Sequence, residues 1–265
     1  MKRVLAVLVS VAAAALVLVG YSISSRPASP PLVHLPAAAA AASKVVYLTF
    51  DDGPTAGYTP EVLADLNAAH VHATFFEVGE EMEKTHCVIT RQLLASGDQI
   101  GSHTWSYPDM VDIGYGLPKT TAARLLMGQK VNEEIVRAEA FQVACTGYNS
   151  HLFRYPHFAA TNYGNLVLRQ NGMVAAYADV SPPDYDSTST TSDNTIINST
   201  LTQVHNGAVI DLHDGDGTGP ELRPHPTYLP ELLSLLKAAG YRFATLNANH
   251  LPLAASRPRT RPGTS

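Results

Sequence analysis

The chain has 265 residues, 45% of them apolar and 15% charged. That is enough apolar material for a real core, so disorder throughout is excluded and one large domain or two small ones are expected. The 18 basic residues against 23 acidic ones give a net charge of −5, which leaves no basic surplus to neutralise phosphates and excludes general nucleic-acid binding. Two cysteines, Cys87 and Cys145, are too few for a thiolate zinc cluster or a disulfide-dense miniprotein.

Met1-Lys2-Arg3 opens the chain, and an uncharged, mostly apolar run covers residues 4–20. A positive start, an apolar middle and small residues after it form the pattern of an export signal, and this run is also just long enough to span a bilayer. Residues 1–25 therefore read as a signal peptide or a membrane anchor, and the rest is expected outside the membrane, secreted or in the cell envelope. Cleavage and retention both stay open. No second apolar stretch of that length follows, so membrane contact is expected only through this segment. Residues 26–43 are rich in Pro and Ala and read as a linker. The first 43 residues hold Lys2, Arg3 and Arg26 and no acid, which leaves the remainder with 15 basic against 23 acidic residues, near −8. The main domain is expected over 44–250, as a monomer, with a Pro- and Arg-rich flexible tail at 251–265.

Within the domain, short β-rich runs alternate with helical patterns. Strands are predicted at 44–50, 73–78, 98–102, 151–154, 173–178, 208–213 and 241–246, and helices at 60–69, 81–96, 119–140, 162–171, 193–205 and 227–239. Pro60 and Pro230 fit first-turn positions, and Gly97 and Gly240 fit the positions just past a helix end. Near-continuous apolar strands separated by helices argue for parallel pairing. Seven such units predict an α/β fold, a closed or nearly closed (β/α)7–8 barrel, with a doubly wound open sheet as the runner-up. Polar residues favour the barrel. Asp51-Asp52, His103, Arg154, Asp179 and His213 each fall at or just past a strand's C-terminal end, the face where a barrel carries its site. An export context permits a disulfide, so Cys87 and Cys145 are either bridged or two buried thiols.

Two adjacent carboxylates closing an apolar strand repel each other and need a reason. One on a metal and the other as a general base would supply it, although an Asp-Gly turn alone is common. A His at another strand end is a candidate ligand, and imidazole with carboxylate suits zinc, cobalt or nickel. Five elements occur in order: TFDDGP (49–54), HTWSYPD (103–109), FRYP (153–156), DVSPPDY (179–185) and VIDLHD (209–214). Together they resemble the polysaccharide deacetylases of carbohydrate esterase family 4, which act on chitin, peptidoglycan and acetylxylan, over about residues 44–246. The resemblance implies a distorted (β/α) barrel and a divalent metal, zinc or cobalt, that activates water against an acetyl group of an acetylated polysaccharide or oligosaccharide. It implies Asp51 as general base, Asp52 and His103 as metal ligands, Arg154 as the group orienting Asp51, and His213 as general acid. The main-chain N–H of His157 would help hold the oxyanion. Trp105, Tyr155, Phe158 and Tyr185 are the aromatics to compare with a sugar site, with His157, Trp105 and Tyr185 assigned to substrate.

Three departures from the family pattern stand out. Tyr107 replaces the second metal-binding His, so it is expected either to bind as phenolate or to hydrogen-bond a metal-bound water, with weaker metal retention in both cases. Ser181 stands where the fourth element carries Asp, which is expected to alter the support of His213. Asp211 alternates in phase with Val209 and His213, so it is expected to face the barrel interior and to replace part of the charge missing at Ser181. A non-catalytic sugar-binding or wall-associated protein with a decayed site is the alternative function.

Overall fold

A computed structural model describes residues 44–110, 120–185, 191–215 and 226–256. The expected signal or anchor, the linker and the end of the tail lie outside the described residues. Among those described, no helix is long and apolar enough to cross a membrane.

Seven strands form one sheet: β1 (Lys44–Asp51), β2 (Thr74–Glu77), β3 (Gln99–Ser102), β4 (Leu152–Phe153), β5 (Val174–Ala175), β6 (Ala208–His213) and β7 (Tyr241–Phe243). The order is β5-β4-β3-β2-β1-β6, with β7 also on β1, and every pairing is parallel. Val46 pairs with Ala208 on one edge and Phe243 on the other, so β7 lies on the β2 side of β1. After β5 the chain runs on beside the free edge of β6, where Val180 bridges Ile210 in parallel. That contact joins the two ends of the sheet and makes a nearly closed, distorted barrel.

All seven predicted strands are present, several of them shorter than expected. The helices Thr59–Ala68, Asn162–Gln170, Asp193–Gln203 and Leu229–Ala238 match their predicted spans to within two residues. Thr161 and Ser192 cap two of them by accepting from Gly164 N and Thr195 N. The predicted helix 81–96 is broken into Gly79–Lys84 and Val88–Ser96, because His86 and Cys87 take φ of 49° and 57°. Cys87 is bonded to Cys145, so of the two open states the bridged one is found. The long helix of the middle region runs Thr121–Asn132, a π-helical turn Glu133–Arg137, and Ala138–Thr146.

Strand alternation divides the core in two. Val46, Leu48 and Phe50 of β1 and Ala208, Ile210 and Leu212 of β6 pack outward with Leu66, Leu93, Ile196 and Leu232 of the helices. The opposite faces point into the barrel in three register layers: Tyr47 beside Val209, Thr49 beside Asp211, and Asp51 beside His213. Tyr47 and Val209 join Phe76, Leu152 and Leu246 in an apolar cluster. The barrel is thus apolar low down and turns polar one layer below the C-terminal mouth.

Candidate active site

The end of β1 carries two carboxylates that an extended strand would point to opposite faces. Asp52 takes φ of 76°, a left-handed turn that Asp tolerates better than most residues. Both carboxylates consequently approach His103: Asp52 Oδ1 is 3.2 Å and Asp51 Oδ2 is 3.8 Å from His103 Nε2. Gly53 comes next and leaves room for the Asp214 carboxylate, which a Cβ there would crowd.

His103 follows β3 and is fully buried. Its Nδ1 lies 2.8 Å from the carbonyl of Arg154, an acceptor only, so Nδ1 carries a proton and Nε2 is the nitrogen turned to the two carboxylates; burial disfavours the charged imidazole, but Asp51 and Asp52 outweigh it and raise the His103 pKa. Asp52 Oδ1 is itself buried and has no hydrogen-bond partner. With Nε2 deprotonated, it and Asp52 Oδ1, 3.2 Å apart, are two lone-pair donors that would fit a cation between them, and the Nδ1–carbonyl bond is the kind of outer contact that orients a metal-binding His. Asp52 is held below the usual carboxylate range: burial opposes this, but the imidazole of His103, the charge of His213 and the phenol of Tyr107 outweigh it. Among the described residues, no three His, Cys, Asp or Glu side chains converge on a metal position; Tyr107 stands beside Asp52 and His103. Tyr107 hydrogen-bonds Asp52, and burial with the charges of Asp52 and Asp51 pushes its phenol far above its ordinary range.

The loop bearing His103 and Tyr107 is clamped from outside. Glu134, in the π-helical turn, accepts from Trp105 N, Ser106 N and Ser106 Oγ at 3.1, 2.8 and 2.7 Å. Arg137 of the same turn covers the Trp105 ring. Trp105 is buried against Phe141 and Arg137, and a Cβ on Gly79 would lie 2.4 Å from its ring. Its assignment to substrate is therefore corrected: it is a packing residue of the ligand loop.

Arg154, wholly buried, enters beneath Asp51. Its Nη1 donates to Asp51 Oδ1 at 2.7 Å, Thr49 Oγ1 at 2.7 Å and Asp211 Oδ1 at 3.1 Å. Burial pushes Asp51 up to about 7 against the opposing charge of Arg154, with Asp211 adding to the rise. A carboxylate that titrates near neutrality suits a general base.

His213 closes β6. Its Nδ1 pairs with Asp184 Oδ1 at 2.9 Å, and Asp184 Oδ2 accepts from His213 N at 2.8 Å and Tyr228 Oη at 2.9 Å. Burial disfavours the charged imidazole, but Asp184 outweighs it and the pKa stands well above the ordinary value. The acid supporting His213 is thus Asp184, and the expected loss of support through Ser181 is corrected. Ser181 Oγ donates instead to Asp211 Oδ2 at 3.0 Å. Asp211 faces inward, as its alternation predicts.

Asp179 does not reach the mouth. Its carboxylate binds Val209 N at 2.9 Å and His205 Nε2 at 2.6 Å, near the start of β6, because residues 179–181 run alongside that strand from its lower end. Tyr155 is buried, its hydroxyl on Asn165, and Phe158 stacks on Tyr177. Tyr185 is 57% exposed with its ring edge-on to His213. His157, exposed with φ of 55°, meets the Tyr107 ring edge-on. The sequence reading also missed Asp214, buried beneath the TFDDGP turn. Its Oδ2 accepts from Thr59 Oγ1 at 2.7 Å, and burial pushes it to about 7. Asp214 stood within a quoted motif, but nothing in the pattern showed that it would be buried.

Residues 38–176 match the family profile described as Polysaccharide deacetylase. The chain is 29% identical to a chitooligosaccharide deacetylase of Sinorhizobium fredii over 213 residues, 77% of this chain and 91% of that one. It is 30% identical to a peptidoglycan-N-acetylglucosamine deacetylase of Bacillus cereus over 202 residues, 76% and 66% of the two chains. The solved peptidoglycan deacetylase PdaC of Bacillus subtilis superposes with a TM-score of 0.63 at 25% identity, covering 77% of this chain and 88% of that one.

Proposed function

The chain belongs to the polysaccharide deacetylase family, and we propose that it is a metal-dependent hydrolase that removes acetyl groups, N-linked or O-linked, from an extracellular polysaccharide such as chitin, peptidoglycan or xylan. One observation carries this reading: Asp51, Asp52, His103 and His213 stand together at one barrel mouth, with Arg154 holding the base and Asp184 the acid.

Asp52 and His103 are the residues that would hold a zinc or cobalt ion. When bound, such an ion supplies Lewis acidity toward water and the acetyl carbonyl. Asp51 takes the proton from the attacking water; its Oδ1 is occupied by Arg154 and its Oδ2 faces His103. His213 donates to the leaving nitrogen or oxygen from Nε2, since Asp184 fixes the proton on Nδ1. The His157 N–H assists at the developing oxyanion. Tyr185, exposed beside His213, offers an aromatic face to the sugar.

The deciding experiment follows acetate release from N-acetylated chito-oligosaccharides, peptidoglycan fragments and acetylxylan, with zinc or cobalt supplied and then removed by a chelator. Release from at least one substrate, lost on chelation, supports the reading. Retention on the glycan without release would favour the sugar-binding alternative, which Tyr107 in the ligand loop motivates.

A further inference from the structure

The middle layer of the barrel is polar where its neighbours below are apolar. Thr49 and Asp211 face each other there in register, and Arg154 and Ser181 complete the group. Asp211 is 3% exposed, and both its oxygens are engaged: Oδ1 by Arg154 Nη1 at 3.1 Å and Oδ2 by Ser181 Oγ at 3.0 Å. Arg154 Nη1 simultaneously reaches Asp51 Oδ1 at 2.7 Å, one layer higher. The guanidinium lies against the Phe76 ring, 4.2 Å from its centroid, and Nε is 3.3 Å from the Ala176 carbonyl.

We propose that Asp211 is a positioning residue for Asp51, acting through Arg154, and that the carboxylate it supplies can equally be delivered from position 181. The proposal rests on the deacetylase reading only in taking Asp51 as the base. A buried arginine with one carboxylate partner is drawn onto that partner, and the preferred contact is bidentate. With Asp51 as its sole anion, Arg154 would rise and engage both oxygens, covering Oδ2, the one turned toward His103. Asp211 pulls on the same nitrogen from the layer below. It holds the guanidinium at a height where it meets Asp51 through Oδ1 alone. Ser181 sits on the strand edge beside β6, and its hydroxyl lies within hydrogen-bond distance of Asp211, so a carboxylate planted at 181 would enter the same layer and face the same guanidinium.

The test compares wild type, D211N, D211L, S181D and S181D/D211L for kcat and KM of acetate release, and for thermal melting. D211N keeps the shape and removes the charge. Its kcat is expected to fall by roughly 10-fold or more with KM within about twofold, the split that misplacement of the base produces. S181D alone sets two carboxylates against each other and is expected to lose activity and melt lower. The double variant is expected to recover at least about tenfold of the kcat lost in D211L and to melt above both D211L and S181D. Wild-type kcat in D211N, or a double variant no better than its singles in either readout, overturns the proposal. If wild type releases no acetate, the deacetylase reading falls by itself, and the melting series alone decides whether positions 181 and 211 share Arg154: recovery in the double variant supports the shared anion, and no recovery overturns it.

Discussion

The assigned roles turn on single atoms. Tyr107 offers a phenol where the resemblance leads one to expect an imidazole, and it hydrogen-bonds Asp52; among the described residues, no third His, Cys, Asp or Glu joins Asp52 and His103 at a metal position. Replacing Tyr107 with His should tighten zinc binding by about 10–100-fold in a direct titration; an unchanged affinity would show that the side chain at 107 does not reach the cation. Asp184 raises the His213 pKa well above its ordinary value and fixes its tautomer. As the acid, His213 acts only while protonated, so activity is lost as pH rises through its pKa. D184N removes the charge that raises this pKa, and the upper limb of the pH–rate profile should move down with kcat falling about 10²–10⁴-fold. An upper limb that stays in place would remove Asp184 from this role. Asp51, Asp52, His103, Arg154 and His213 were legible because strand ends carried them in a recognisable order. Asp184 was visible as a flanking acid, but the sequence does not show which of two nearby aspartates turns toward His213. Only the path of residues 179–181 along β6, which carries Asp179 to the lower end, makes that choice.

At the level of elements, the loop bearing His103 and Tyr107 depends on parts that no local pattern announces. The π-helical turn Glu133–Arg137 inserts a widened turn in a long helix and thereby sets Glu134 on the ligand loop and Arg137 on Trp105. Periodicity predicts the helix, since the apolar positions recur on one face; it cannot predict one extra residue in a turn. The break at residues 85–87 was missed for a related reason. Thr85 Oγ1 bonds back to Glu81 and Met82 carbonyls, and the next two residues turn left-handed, none of which needs Gly or Pro. The Cys87–Cys145 bridge then ties the start of Val88–Ser96 to the end of Ala138–Thr146 across 58 residues. Closing a loop of that length restricts the unfolded chain by about 4 kcal/mol on the chain-entropy account. The C87S/C145S variant should therefore lose about 2–4 kcal/mol in denaturant unfolding, and the oxidised protein should run faster than the reduced one on a non-reducing gel. Equal mobility and equal stability would mean that the two thiols are unbridged in solution.

At the level of the whole molecule, β/α alternation and strand-end polarity were enough to predict a nearly closed barrel with one working face. What alternation could not supply was the closure itself, which rests on residues 176–181 leaving β5 and lying beside β6. That segment runs straight into Pro182-Pro183, yet it closes the sheet and supplies Ser181, and the chain continuing from it supplies Asp184. The layered interior follows from it: apolar at the bottom, a buried arginine shared by two aspartates in the middle, and Asp51 beside His213 at the mouth. The account stands on Asp51 and His213 working as base and acid on one acetyl group. The most direct measurement is acetate release from an N-acetylated chito-oligosaccharide by zinc-loaded wild type, D51N, H213N and the double variant. The account predicts release by wild type, a loss of roughly 10²-fold or more in each single variant, and a double variant scarcely worse than the poorer single. Release by D51N at the wild-type rate would contradict it.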